Sequence, residues 1–478
     1  MKGEGDIRDR LAKALERGTL KSAGSELSPA MRKKLERALA GTPHGRRAPP
    51  GAIDPAGDGV PAAPDPFQAD FPPPRIYRAN LLSDVAAFST HNRRRDGLTG
   101  RELTTSAGNV LQRRWRVPLS ELASAADLAG ASEGAGVLAE LMDQPPLTGL
   151  DPRQALYLDT ETTGLAGGTG TYVFLLGMGW VEKDAFVVEQ LFLRDFAEEA
   201  ALLHRARQLA DRHGTLVTFN GQRYDVPLLD TRLVMNRQLP DLRERPHLDL
   251  LPLSRRLYGG RFDDCRLQTL EKELLGQHRF GDIPGFEIPG LYFRYLSDGD
   301  SEPLVPIFEH NFLDVVTLLS LTAHFLHLCR QPTRDPRALG GLGRLHEKRG
   351  NREQALELLE AAHAQRAATY RDLRELGFLY KRQGEHAKAF GVWEMLVARQ
   401  QRSGRTLGFD VTPFIEAAKH LEHREGAFGK ALGYTQAALR ALGAAGSEPG
   451  PAAAQHRRLE HRAQRLERRL QTGRKDAA

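Results

Sequence analysis

The sequence predicts an α/β fold with a mixed sheet, followed by an all-α domain of helical repeats. Two observations carry that prediction. Between about residues 153 and 330, short apolar runs alternate with stretches of helical spacing. After about residue 335 the chain is helical and repeats itself, LGRLHEKRGNREQALELL returning 34 residues later as LGFLYKRQGEHAKAFGVW.

The elements follow in chain order. Residues 1–75 read as a disordered or linker region. DIRDRLAKALERG and SPAMRKKLERALAG have the pattern of short amphipathic helices, but PPGAIDPAGDGVPAAPDPFQADFPPP is too poor in apolar side chains to offset the entropy of ordering it. Residues 76–150 are a mixed segment leading into the α/β domain. There NVLQRRWRVPL reads as a strand anchored on Trp115, and ASEGAGVLAELMDQ as a short helix. From 151 to 330, QALYLDTE is a strand ending in acids. TYVFLLGMGWVEK and AFVVEQLFLR are consecutive antiparallel strands joined by a turn at Lys183 and Asp184. AEEAALLHRARQLADRHG is a helix with a glycine stop, and GTLVTFNG is another strand. DVPLLDTRLVMNR, CRLQTLEKELLG and NFLDVVTLLSLTAHFLHLC are helices.

Residues 335–478 form the repeat domain. Gly343, Leu345, Gly350 and Ala355 fall in register with Gly377, Leu379, Gly384 and Ala389, and a third copy keeps Leu421, Gly426 and Ala431. The period and the small residues resemble tetratricopeptide repeats, with Gly350 and Gly384 turning the chain and Ala355 and Ala389 letting paired helices pack closely. Such stacks present a concave surface for a protein partner; the plainer reading is a packing domain without one. The closing QHRRLEHRAQRLERRLQTGRK is a basic helix. Its leucines at 459, 466 and 470 favour a capping helix with a solvated basic face over a phosphate-binding element.

Bulk properties narrow the class. A chain of 478 residues predicts two or three domains. The net charge of +6 leans towards polyanionic partners. Two cysteines, Cys265 and Cys329, exclude a disulfide framework and a zinc quartet and read as small buried hydrophobes. The first 20 residues lack an apolar run of signal type, and no charge-free apolar stretch is long enough to span a bilayer. The expectation is a cytoplasmic protein without a membrane partner.

The chemistry centres on Asp159 and Glu161. Residues i and i+2 of a strand share a face, so both carboxylates project together while Thr160 points away. Adjacent acids repel each other, and a hard divalent cation removes that cost. The glycine-rich GLAGGTGTY that follows lets backbone approach a ligand, but it lacks phosphate-loop spacing, which excludes a nucleoside triphosphatase of that kind. Downstream, TFNGQRYDVPLL places Asn220 and Gly221 after a strand and Asp225 at the start of a helix, where a capping role is the alternative. HLDLLPLSRRLYG contributes Asp249, with capping again the alternative. HNFLDVVTLL puts His310 and Asp314 on one face of an apolar helix.

The order D-x-E, N-G-x-x-x-D, H-x-x-x-D resembles the DEDD exonuclease superfamily. More closely, LDTETTGLAGGTGTYVFLLG, FNGQRYDVPLL and HNFLDV are similar to the bacterial YprB-type ribonuclease H-like domain proteins, over about residues 150–330. The resemblance implies an RNase H-like mixed sheet, three antiparallel strands and then parallel strands with helices. It implies a nuclease of the 3′–5′ exonuclease type, in which Asp159, Glu161, Asp225 and Asp314 hold two Mg²⁺ or Mn²⁺ ions. His310 would orient or deprotonate the attacking water, although it stands at the spacing of the Tyr-bearing branch of the superfamily. Tyr224 reads as packing. Asn220, Thr162 and Gly164 are candidate substrate contacts, and Asp249 is a secondary candidate. Arg261, Arg266 and Gln268 read as a solvated loop. The substrate would be DNA or RNA. The alternatives are a weakly active nucleic-acid-binding scaffold and a structure-specific nuclease.

Overall fold

A computed structural model describes residues 98, 100–122, 128, 130–164, 169–279, 281–403, 410–443 and 451–475. The expected linker over 1–75, its two helical stretches and residues 76–97 lie outside the described residues, as do Leu165–Gly168 of the glycine-rich run.

The sheet has seven strands in the order β1-β2-β5-β4-β3-β6-β7. β1 (Arg101–Thr105) and β2 (Gly108–Pro118) form a hairpin whose second strand pairs with β5 (Ala185–Phe192). β4 (Val173–Glu182) joins β5 to β3 (Ala155–Thr162), all antiparallel. β6 (Thr215–Thr218) and β7 (His247–Asp249) continue the sheet parallel to β3. The expected sequence of antiparallel then parallel strands therefore describes β3–β7. The sheet itself starts earlier, at Arg101, because NVLQRRWRVPL adds β2 alongside β5. Trp115 anchors that strand edge-on against Phe312, with ring centroids 5.3 Å apart.

β4 and β5 are buried residue after residue rather than alternately, because helices cover both faces of the sheet. In β3 the side chains still divide by parity. Tyr157 joins one apolar cluster with Phe312, Val315 and Leu319, while Leu156 and Leu158 join the other with Leu202, Leu229 and Tyr292. The first face is covered by α1 (Ala135–Met142), α4 (Leu250–Tyr258) and α7 (Val305–Arg330). The second is covered by α2 (Glu199–Ala210), α3 (Asp225–Met235) and α6 (Ile288–Asp298). Between α4 and α6, the short helix α5 (Leu267–Leu270) runs into a π-turn at Glu271–Leu275. α7 qualifies one expectation: by length and composition it could cross a membrane, yet most of it is buried inside the protein.

The remaining elements are helices. α8 (Pro336–Arg349) and α9 (Arg352–Ala364) form a hairpin, as do α10 (Tyr370–Arg382) and α11 (His386–Ser403), and then α12 (Thr412–His423) and α13 (Phe428–Leu442). Gly350 and Gly384 sit at φ +86° and +81°, in the left-handed region where only glycine is unstrained, and each turns the chain between its paired helices. Ala355, Ala389 and Ala431 are buried at the hairpin contacts. α14 (Pro451–Lys475) packs Leu459 and Leu466 inward, and its Arg462 and Arg465 grip the buried Glu422. Ala338, Leu339, Leu342 and Leu345 of α8 belong to the same apolar cluster as α7 and α4. Asp372, which caps α10 together with Thr369, also binds Arg344 of α8. Cys329 is buried, its thiol pushed up to about 12 by desolvation, whereas Cys265 is only half-buried.

Candidate active site

The parity of β3 decides how the acids meet. Asp159 and Glu161 continue the Tyr157 face and look towards α7. Thr160 continues the opposite face and donates its hydroxyl to Asp225 Oδ1 at the start of α3. Asp225 thus reaches the strand end from the side opposite to Asp314, which rides on α7. The four carboxylates gather at one end of β3 from both faces of the sheet.

Their mutual repulsion is severe. Burial first, and then the charges of Asp314, Glu161 and Asp225, push Asp159 well above the usual carboxylate range. Glu161 is raised in the same way by burial and by Asp314, Asp225 and Asp282. Asp225 is pushed up to about 6 by burial, against the stabilising bond from Thr160. The side chains of Glu161 and Asp314 are 14% and 13% exposed, so water offers little relief.

α7 supplies the partners. Asn311 is fully buried and donates Nδ2 to Asp159 Oδ2 at 2.8 Å, while its Oδ1 accepts from Gln190 at 2.9 Å. Gly177 of β4, opposite Asp159 in the ladder, leaves the room Asn311 occupies: a Cβ there would lie 2.3 Å from Asn311 Oδ1. His310 turns Nε2 towards Asp314 Oδ2 (3.4 Å) and Glu161 Oε1 (3.8 Å), and Nδ1 towards Asp282 Oδ1 (2.6 Å). Burial lowers its affinity for a proton, but Asp314 and the bond to Asp282 override this and raise it to about 9. Arg279 places Nη2 2.5 Å from Asp314 Oδ1 and pairs with Glu271 at 2.6 and 2.7 Å.

The donor set is hard oxygen under strong like-charge strain, which fits a divalent cation. In their present rotamers the acids are parted. Asp225 faces Thr160 and Asp314 faces Arg279, and among the described residues no three His, Cys, Asp or Glu side chains form a closed ligand group.

Other expected residues take different places. Asp249 accepts the backbone N–H groups of Asn220 (2.7 Å), Gln222 (3.2 Å) and Leu251 (3.1 Å), so it caps α4 and clamps the loop before Asp225. Asn220 sits in that loop at φ +68°. Thr162 donates to Gly164 O at 2.9 Å, holding the turn after β3. Tyr224 does not pack: the residue is 58% exposed beside Asp225. Arg261 is tied to Ala367 O, Arg266 is 81% exposed, and Gln268 donates to Asp282 at 2.6 Å. Sequence reasoning missed Asn311, Arg279, Glu271 and Asp282. A buried amide on an otherwise apolar helix next to His310 was the one available signal for Asn311.

This arrangement is that of an RNase H-type nuclease domain. The RNase_H superfamily profile matches residues 156–326, which hold all four acids and His310. The uncharacterized protein YprB of Bacillus subtilis (strain 168) is 33% identical over 296 residues, covering 61% of this chain and 70% of that protein. The chain belongs to the YprB family. A solved structure of the family B DNA polymerase from the hyperthermophilic archaeon Pyrobaculum calidifontis superposes with a TM-score of 0.29 at 13% identity, over 48% of this chain and 29% of the polymerase, a likeness too slight to bear on fold or chemistry.

Proposed function

We propose that the protein is a metal-dependent nucleic-acid phosphodiesterase acting as a 3′–5′ exonuclease. The observation that carries this reading is the meeting of Asp159, Glu161, Asp225 and Asp314 from both faces at one strand end, where burial and the neighbouring carboxylates drive up the proton affinities of Asp159, Glu161 and Asp225. Such a cluster is costly in an unliganded protein and is relieved by cations. These four residues would hold two Mg²⁺ or Mn²⁺ ions, which supply positive charge to the scissile phosphate and to the leaving 3′ oxygen when bound. Asn311 keeps Asp159 aimed at the cluster. His310 directs Nε2 towards the space between Glu161 and Asp314, where it would orient the attacking water or take its proton. Added cation charge opposes the carboxylates that hold the imidazole protonated, and so favours the proton-accepting form. Asn220, Thr162 and Gly164 would contact the substrate, and the exposed Tyr224 would offer a ring for a base to stack on.

The domain limits at 151–330 and 335–478, a protein partner for the tetratricopeptide-like helices and a cytoplasmic location belong to the same proposal. A second reading, a weakly active nucleic-acid-binding scaffold, draws on the present turn of Asp314 onto Arg279 and of Asp225 onto Thr160. One assay decides between them. The full chain is incubated with Mn²⁺ or Mg²⁺ and end-labelled single- and double-stranded DNA and RNA, beside an Asp159→Ala, Glu161→Ala variant. Metal-dependent shortening from the 3′ end, absent in the variant, is expected. No product above the variant on any substrate overturns the enzyme reading, and internal cuts favour a structure-specific nuclease.

A further inference from the structure

We propose that Asp282 is a positioning residue for His310, held in place by Arg279. The role of the histidine rests on the nuclease reading above; the contact itself does not.

The segment that follows α5 brings two charged side chains into the site. Glu271, in the π-turn, is 3% exposed and accepts the hydroxyl of Thr317 from α7. Its carboxylate takes Nε and Nη2 of Arg279 at 2.6 and 2.7 Å, the bidentate geometry that fixes a guanidinium plane. From that fixed plane Arg279 extends Nη1 to within 3.4 Å of Asp282 Oδ2 and Nη2 to within 2.5 Å of Asp314 Oδ1. The Arg279 side chain is 7% exposed, so these are contacts of a sheltered network rather than of a solvated surface.

Asp282 is then held on both oxygens. Oδ2 accepts from Gln268 Nε2 at 2.6 Å, and Oδ1 accepts from Ile283 N at 3.0 Å. Oδ1 also meets His310 Nδ1 at 2.6 Å. An imidazole on a helix can rotate about two bonds. A carboxylate locked on its Nδ1 side removes that freedom and leaves Nε2 aimed at Glu161 and Asp314. Arg279 links Asp282 and Asp314, two of the three carboxylates that face the ring, so one guanidinium ties the groups on both sides of the imidazole. A purely structural ion pair would not need to end on the one imidazole among the four acids.

The test uses the full chain with Mn²⁺ and a labelled oligonucleotide, comparing wild type, Asp282→Asn, His310→Ala and the double variant. Asp282→Asn is expected to lower kcat by about 10- to 100-fold, with KM changed by less than about threefold. In the His310→Ala background the same substitution should change kcat by less than about threefold. Equal losses in both backgrounds mark general damage to the fold and overturn the proposal, as does full activity of Asp282→Asn. A readout independent of activity is the downfield ring N–H proton resonance of His310 in the metal-free protein, assigned by its absence in His310→Ala. Its loss in Asp282→Asn supports the contact, and its persistence overturns it. A wild type that cleaves nothing while this resonance behaves as expected supports the Asp282–His310 contact and sinks the nuclease reading instead.

Discussion

Replacing Gly177 by alanine tests how tightly Asp159 is held. The added Cβ would lie 2.3 Å from Asn311 Oδ1 and 2.8 Å from both Cγ and Nδ2, distances that real contacts do not reach. Two responses are open to the protein. Asn311 can stay and the strand and helix separate, an overpacking strain of about 1–3 kcal/mol. Or Asn311 can leave, giving up its bond to the Asp159 carboxylate, about 1.5–3 kcal/mol, and that to Gln190, about 1 kcal/mol. The gain in strand propensity over glycine returns about 0.5–1 kcal/mol. The first route is the cheaper and leaves a net loss of about 1 kcal/mol, about 2.5 kcal/mol at most. Urea unfolding followed by circular dichroism measures it. The control is the same substitution in an Asn311→Ala background, where the obstructing amide is gone and the cost should fall below about 0.5 kcal/mol. An undiminished cost in that background, or a Gly177→Ala protein as stable as wild type, would refute the account of Gly177 as the space for Asn311.

Further expectations concern charge. Because Asp159 binds its proton more tightly in the fold than in the unfolded chain, its carboxylate lowers stability as pH rises above the ordinary carboxylate range. Asp159→Asn should therefore raise the metal-free melting temperature at neutral pH, by about 1 kcal/mol in stability, while abolishing stabilisation by Mn²⁺; an unchanged or lower midpoint contradicts this. His247 is buried on β7 and its affinity is lowered to about 4 by desolvation, so the unfolded chain takes up the proton first as pH falls below its ordinary value of ~6.5. That stability is whole above about pH 6.5 and is lost towards pH 4, by about 3 kcal/mol at most, and a His247→Gln variant should show a correspondingly flatter pH profile. Arg232 and Glu199 form a bidentate pair at 2.5 and 2.6 Å, with side chains 3% and 6% exposed. Arg232→Met strands the carboxylate and should cost about 3–5 kcal/mol in chemical denaturation, while a loss under 1 kcal/mol would show the pair to be dispensable.

What the chain discloses about its site depends on the range of the interactions. The pairing of Asp159 with Glu161 is local, since strand geometry alone puts i and i+2 on one face. The pairing of His310 with Asp314 is local to a helix in the same way. Strands β3–β6 are legible as apolar runs, whereas the three residues of β7 are too short to register as one. Asp225 opens a helix, as its sequence context indicates, but its arrival from the opposite face, through Thr160, depends on which side of the sheet α3 packs. Arg279 and Asp282 carry no periodic signal at all, for they lie in an irregular segment whose path is set by Glu271 and Thr317. Asp249 and Tyr224 show the opposite limit. A carboxylate near a helix start reads alike as ligand or cap, and an aromatic beside an acid reads alike as core or surface, until backbone amides and exposure separate them.

The apolar cluster that runs from α7 and α4 into α8 makes the repeats and the sheet inseparable as pieces of chain. A fragment cut near residue 335 would strip Leu339, Leu342 and Leu345 from the faces they cover, leaving α7 with a greasy flank open to water. With Asp372 fastened to Arg344, the outer hairpins are tied through α8 to the back of the helix that carries His310 and Asp314. α8 is thereby the joint through which the outer hairpins bear on the helix at the strand end.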